Sequence, residues 1–213
     1  MRNHFQVILW TLGFLRIMKK RKKNSANKIT VFLDRDGVIN KKAKEGDYIK
    51  SKDELRLIKG AAKAIKLFNE KGYLTLVITN QGGVERGIIS WDQFREVMDE
   101  LNKRLSKNGA HLDGYYVCPD ASDNSLFRKP NIGLFKLAKK EFPNINFKRS
   151  IIIGDSWRDM KAGKNIGAVT VFIGRSRKKE VECDYQARSL SKFVSEIDIE
   201  KLFSKANNFI SSK

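Results

Sequence analysis

Val31-Phe32-Leu33-Asp34-Arg35-Asp36-Gly37-Val38-Ile39-Asn40 is a short apolar run that delivers two carboxylates, two residues apart, and then a glycine. With Ile29 and Thr30 ahead of it, the run reads as a buried strand ending in a turn. Side chains two apart on an extended chain point the same way, so Asp34 and Asp36 share one small site. Like charges that close repel and push one carboxyl group toward protonation unless a cation lies between them. The pair therefore suits a divalent metal, with one carboxylate as nucleophile and the other as proton donor. A bare Asp-x-Asp is more often a helix cap or a solvated turn. Here the strand context, the adjacent glycine and three further stretches downstream decide against that.

Outward from this stretch the chain alternates helices and strands. The apolar stripe Ala61, Ala62, Ile65 and Phe68 predicts a helix from about 59 to 70, and Tyr73–Ile78 a second buried strand running into Thr79-Asn80-Gln81-Gly82-Gly83. Ser90 with Gln93 makes a capping box for a helix to about 108, followed by a strand at Tyr115–Val117. A helix is expected after Pro130 to about Glu141, a strand at Ser150–Ile153, and a helix over Trp157–Asn165. Ala168–Ile173 reads as a fifth strand, with a brief strand near Tyr185 and one C-terminal helix over Ser191–Ser204. This alternation predicts an α/β fold, a doubly wound, Rossmann-like parallel sheet with helices on both faces and ligands at the strands' carboxyl ends. Asp34, Asp36, Thr79, Asn80 and Asp155 then gather on one edge.

Composition narrows the chemistry. The chain has 213 residues, enough for one domain with a real core, and its 41% hydrophobic and 31% charged content fits a globular protein. Two cysteines, Cys118 and Cys183, argue against a disulfide framework and for a reducing, cytoplasmic compartment. Two histidines leave almost no material for a histidine triad or a multi-histidine metal site. Catalysis must rest on carboxylates, lysine, threonine and a metal.

Net charge is +19, and residues 1–28 carry eight of the 43 basic residues and no acid, leaving +11 for the remainder. A basic surface attracts nucleic acid, anionic membrane or phosphorylated substrates; no basic run interleaved with aromatics occurs after residue 28. Residues 1–28 are expected to be a separate extension, disordered or peripheral, ahead of a domain over 29–213. Within it Phe5, Leu9, Leu12 and Leu15 fall at helical spacing beside Lys19–Lys23, the pattern of an interfacial anchor, so membrane contact by residues 5–23 is one reading. A true start at Met18 is the other.

Four stretches, in order, resemble the haloacid dehalogenase-like phosphatase superfamily. They are Asp34-Arg35-Asp36-Gly37-Val38-Ile39-Asn40, Thr79-Asn80-Gln81-Gly82-Gly83-Val84-Glu85-Arg86-Gly87, Arg128-Lys129-Pro130, and Gly154-Asp155-Ser156-Trp157-Arg158-Asp159-Met160-Lys161-Ala162-Gly163. More narrowly they are similar to the branch with the heptose 1,7-bisphosphate and histidinol-phosphate phosphatases. The resemblance implies Asp34 as nucleophile, Asp36 as general acid and base, and Mg²⁺ held by Asp34, the Asp36 backbone carbonyl and Asp155. It implies Thr79 and Asn80 on the phosphoryl oxygens and Lys129 as the fixed positive charge. Asp159 would support the metal or Lys129, or serve only as an acid in the first turn of its helix. Arg128 would recognise substrate, with Asn40, Gln81 and Arg86 as further substrate contacts or, alternatively, residues that order their loops.

One departure stands out. Heptose bisphosphate phosphatases carry Cys-Pro-His and two more cysteines just before Arg-Lys; this chain has Cys118-Pro119-Asp120 and no other cysteine before Arg128. One sulfur does not make a four-ligand site, so no zinc is expected, and Cys118 reads as a small buried residue. Only 45 residues separate Asp34 from Thr79, mostly one helix, which predicts no large cap domain and an open cleft bordered by loops 41–52, 82–89 and 119–127. The expected substrate is a small sugar bisphosphate such as D-glycero-D-manno-heptose 1,7-bisphosphate. Histidinol phosphate is an alternative, and so is nucleic acid as a 3′-phosphorylated polynucleotide, which net charge favours.

Overall fold

The computed structural model describes residues 29–175 and 181–204; the N-terminal extension and its expected membrane contact lie outside them. Strands β1 (Thr30–Leu33), β2 (Leu74–Asn80), β3 (Gly114–Cys118), β4 (Ser150–Gly154), β5 (Val169–Ile173) and β6 (Tyr185–Ala187) form one sheet in the order β3-β2-β1-β4-β5-β6. All five neighbouring pairs are parallel. A parallel sheet is covered on both sides, so its strands are apolar throughout rather than alternating; β1, β3 and β4 are buried along their whole length.

Pleating divides those side chains into two cores. Val31, Leu33, Val77, Ile151 and Ile153 pack with Ile65 of α1 (Ala61–Glu70), Phe94 and Leu101 of α2 (Trp91–Lys107), Phe193 of α5 (Leu190–Glu196) and Ile199 of α6 (Ile199–Ser204). Phe32, Leu76, Ile78 and Ile152 pack on the opposite face with Leu134 and Phe135 of α3 (Gly133–Glu141) and Ala162 of α4 (Trp157–Ile166). Phe32 and Phe135 meet edge to face, ring centroids 5.1 Å apart. Consecutive connections from β1 leave toward β2 on one side and the chain returns at β4 on the other, which makes the carboxyl end of β1 the switch point where α/β sheets bind ligands.

Several boundaries differ from the sequence reading for local reasons. The first helix begins at Ala61, not at 59, because Gly60 stands at φ +84° and would, with a Cβ, meet Ser191 at 2.7 Å. The expected single C-terminal helix is two. Ile197 is extended (φ −118°, ψ 123°), and the Asp198 carboxylate accepts from the Glu200 N–H at 3.2 Å, capping a new helix. The capping box of Ser90 and Gln93 forms as expected. Between β1 and β2, α1 is the one regular element among the described residues, so no cap domain intervenes. No helix among them is long and apolar enough to cross a membrane.

Candidate active site

The carboxyl ends of β1, β2 and β4 and the loop ahead of α3 converge on one cleft of about 550 Å³, lined by Asp34, Asp36, Thr79, Asn80, Arg128, Lys129, Asp155 and Asp159. Its centre is an ion cluster. Lys129, 3% exposed, sends Nζ to Asp34 Oδ1 at 2.7 Å and to Asp159 Oδ1 at 2.6 Å, and donates to the Ile78 carbonyl at 2.6 Å. Burial works against the ammonium, but the Asp159 and Asp34 carboxylates outweigh it and hold Lys129 protonated. Asp159, 2% exposed, also accepts on Oδ2 from the Ser156 N–H (3.1 Å) and hydroxyl (2.6 Å). It thus stands beside Lys129 and closes the capping box of α4.

Asp34 feels opposite pulls. Burial raises its carboxyl strongly, Lys129 lowers it, and the neighbouring charges of Asp159, Asp155 and Asp36 raise it, to about 7. Asp36 goes the other way. Burial again favours the neutral acid, but the Arg35 guanidinium (Nη2 at 2.8 Å), Asn40 Nδ2 (2.8 Å) and Gln81 Nε2 (2.9 Å) all point at it and hold it below the usual carboxylate range. This split runs against the implied roles, since a nucleophile works ionised and a proton donor neutral; a divalent cation on Asp34 would lower its carboxyl, and a substrate phosphate would raise that of Asp36.

Asn40 and Gln81, read as substrate contacts or as residues that order their loops, are buried behind the cleft and grip Asp36. Gln81 also donates to Thr79 Oγ1 (2.9 Å) and accepts from Arg35 (3.2 Å), joining the ends of β1 and β2. Asn80 lines the cleft, yet its side-chain amide is committed to the Lys129 backbone, accepting from N (3.0 Å) and donating to O (3.1 Å). That amide seats the lysine loop. Arg86 lies exposed in the turn 81–87, away from the cleft lining. Arg128 lines the cleft, bound to Asp123 (3.1 Å) and the Asp120 carbonyl (3.0 Å).

Three residues without an expected role belong here. Arg35 is fully buried, with its guanidinium 5.5 Å above the Phe94 ring, and is the counter-ion of Asp36. Lys42 reaches into the cleft to pair with Asp155 Oδ2 at 2.7 Å. Arg158 lines the same rim. An arginine between two acids after an apolar strand is a readable signal for the first. Lys42 and Arg158 depend on loop paths that no periodicity records.

Among the described residues, Asp34, Asp155 and Asp159 are the one group of three or more such ligands with atoms within 4.8 Å of one another. Oxygen-only donors suit a hard divalent cation. Asp159 is engaged on both oxygens, Oδ1 by Lys129 and Oδ2 by Ser156, whereas Asp34 meets Lys129 through Oδ1 alone and Asp155 meets Lys42 through Oδ2 alone, so Asp34 and Asp155 are the pair better able to hold an ion. Gly37 makes room for Asp155: at φ +88°, a Cβ there would stand 1.7 Å from Asp155 Oδ2 and 2.8 Å from Lys42 Cε. Gly37→Ala is therefore expected to displace Asp155 and lower kcat about 100-fold or more, since a shift near 1 Å costs that much. Steady-state assay checks it, and a kcat within about twofold of wild type would contradict this packing.

Known proteins similar to this chain include phosphatases. The family model for polynucleotide kinase 3 phosphatase matches residues 17–203. The chain is 35% identical over 159 residues to the D-glycero-beta-D-manno-heptose-1,7-bisphosphate 7-phosphatase of Haemophilus ducreyi, covering 71% of this chain and 85% of the relative. It is 34% identical over 165 residues to the D-glycero-alpha-D-manno-heptose-1,7-bisphosphate 7-phosphatase of Campylobacter jejuni, covering 78% and 93%. A D,D-heptose 1,7-bisphosphate phosphatase from B. bronchiseptica, solved with magnesium and phosphate, superposes with a TM-score of 0.71 at 23% identity, over 84% of this chain and 99% of that one. The four motif stretches, the parallel sheet and these relatives together make the chain a phosphoric monoester hydrolase that belongs to the haloacid dehalogenase-like phosphatases, in the branch of the heptose bisphosphate phosphatases.

Proposed function

We propose that the chain removes the 7-phosphate from D-glycero-D-manno-heptose 1,7-bisphosphate through an aspartyl phosphate on Asp34. The observation that carries this reading is the Asp34–Lys129–Asp159 cluster at the end of the central strand, with Asp155 opposite. A carboxylate oxygen of Asp34 attacks phosphorus, and the bond to the sugar oxygen breaks. Asp36 protonates that oxygen; the arriving phosphate, as a like charge, raises the Asp36 carboxyl toward the acid form this step needs. In the second half Asp36 takes a proton from water, which attacks the acyl phosphate and frees Asp34 and inorganic phosphate. Lys129 holds Asp34 in place and meets the charge that builds on the phosphoryl oxygens, with the Thr79 hydroxyl beside it.

Mg²⁺, which accompanies phosphate in the B. bronchiseptica enzyme, fits Asp34 and Asp155 here and, when bound, offsets the repulsion between carboxylate and phosphate. Zinc is not needed for the loop 119–127. Cys118 is buried, burial and then Asp120 push its thiol up to about 11, and Ser125 hydrogen-bonds Asp120 beside it. One sulfur does not make a four-ligand structural site, and among the described residues Cys118 belongs to no group of three or more candidate metal ligands. Two free cysteines accord with a cytoplasmic setting.

A phosphatase screen with Mg²⁺ tests the reading, using heptose 1,7-bisphosphate, histidinol phosphate and a 3′-phosphorylated oligonucleotide. The heptose is expected to give the highest kcat/KM. The family model's name and the +19 charge supply the second reading, and the oligonucleotide ranking first would establish it instead.

A further inference from the structure

Lys42 belongs to no helix or strand, yet its ammonium reaches the end of β4, where Nζ meets Asp155 Oδ2 at 2.7 Å. The oxygen it meets is the one turned to the end of β1. A Cβ on Gly37 would stand 1.7 Å from that oxygen and 2.8 Å from Lys42 Cε, so the carboxylate and the lysine stem share the space this glycine leaves. The two partners differ in freedom. The Asp155 side chain is 13% exposed at the mouth of a central strand, whereas that of Lys42 is 54% exposed on a loop. Asp34, Asp155 and Asp159 bring three carboxylates within reach of one ion. Two ammonium groups answer them: Lys129, buried between Asp34 and Asp159, and Lys42, half-exposed, on Asp155.

An ordinary surface ion pair ties two exposed groups, as Lys50 does with Asp47 at 2.9 Å; this one ends on a member of the acid cluster. We infer, on the reading above that Asp34 and Asp155 hold Mg²⁺, that Lys42 sets the affinity of the site for a divalent cation. The lysine and the ion exclude each other from Asp155, and uptake of the ion turns the lysine out to solvent. The second oxygen of Asp155 offers no way round this, because an ammonium and a dication on one carboxylate repel each other, and partly buried charges are weakly screened. Lysine suits the exchange. Its compact ammonium on a flexible stem regains water on leaving, and a pair with one exposed partner contributes little to the fold. While it stays, it offsets part of the repulsion among the three acids. The apparent dissociation constant of an ion is the intrinsic one divided by the fraction of molecules whose site is open, so a lysine in place about nine-tenths of the time weakens binding about tenfold.

The test titrates Mg²⁺ into EDTA-treated, dialysed wild type, Lys42→Met and Lys44→Met by calorimetry, with no substrate present. Lys42→Met should bind Mg²⁺ about tenfold tighter than wild type. Lys44 lines the same cleft with the same charge but acts on Asp47, so Lys44→Met should change the dissociation constant by less than about twofold, the share of screened charge alone. Without metal the thermal midpoint of Lys42→Met should lie below that of wild type, and at saturating Mg²⁺ the two should coincide. Equal or weaker affinity in Lys42→Met, or equal tightening in both variants, would overturn the exclusion while leaving the cation site and the phosphatase in place. A midpoint gap that persists at saturating Mg²⁺ would show that Lys42 braces the fold with the ion bound, and would overturn it too. Mg²⁺ binding to none of the three would take the ion from Asp34 and Asp155, and the inference with it; hydrolysis of phosphate esters in the screen judges the phosphatase reading separately.

Discussion

Asp34→Asn is expected to lower kcat on the best substrate of the screen by about four powers of ten, because an amide cannot form the acyl phosphate and the remaining groups have no nucleophile to assist. A variant retaining more than about a tenth of wild-type kcat would remove Asp34 from that role. The fold should survive, for a reason visible in the electrostatics. Burial first, and then the charges of Asp159, Asp155 and Asp36, raise the Asp34 carboxyl from 3.8 to about 7 despite Lys129. A carboxyl whose pKa is higher folded than unfolded binds its proton more tightly in the native state, so its ionisation withdraws stability as pH rises through that window. Asparagine does not ionise, and Lys129 keeps Asp159 as its partner. In EDTA-treated protein at pH 8, the thermal midpoint of Asp34→Asn should equal or exceed that of wild type, with the difference shrinking toward pH 5.

Lys129→Met should lose both activity and stability. The ammonium stands between Asp34 and Asp159; without it two carboxylates are left facing each other in a buried place. Breaking a buried pair by removing one partner costs about 3–5 kcal/mol, roughly 6–20 °C in the midpoint of a domain this size. Activity should fall about 100-fold or more, the usual cost of losing a charge aimed at the transition state. A second change separates the two losses. Asp159→Asn in the Lys129→Met background removes the stranded carboxylate and should recover much of the midpoint while activity stays lost. Recovery of turnover in that double variant would show that Lys129 acts on the fold and not on the phosphate.

Much of this was legible because the chemistry sits at strand ends. Asp34, Thr79 and Asp155 each end an apolar run, and parallel order carries such residues to one edge whatever the intervening helices do. Lys129 was recognisable only from its Arg-Lys-Pro setting, since its loop follows no period. The resemblance implies Asn80 at the phosphoryl oxygens, and Asn40 and Gln81 as substrate contacts or as residues that order their loops; the fold engages them with Asp36 and with the Lys129 backbone. Composition cannot distinguish an amide that meets a ligand from one that positions a neighbour. The break at Asp198 was readable as an N-cap, but Ser191–Ser204 carries enough apolar residues to suggest one continuous helix. Arg158 stayed silent because its partner, Asp123, lies 35 residues away.

The bond between Lys129 and Asp34 joins residues 95 positions apart, and that between Gln81 and Asp36 spans 45. Neither contact exists until β1, β2 and the loop before α3 have found one another, and such distant closures are the slow part of assembling a parallel sheet. A nascent or partly collapsed chain therefore lacks the contacts that join Lys129 to Asp34 and Gln81 to Asp36. Reactivity emerges only with the finished topology, so a half-made molecule leaves the phosphorylated metabolites around it untouched.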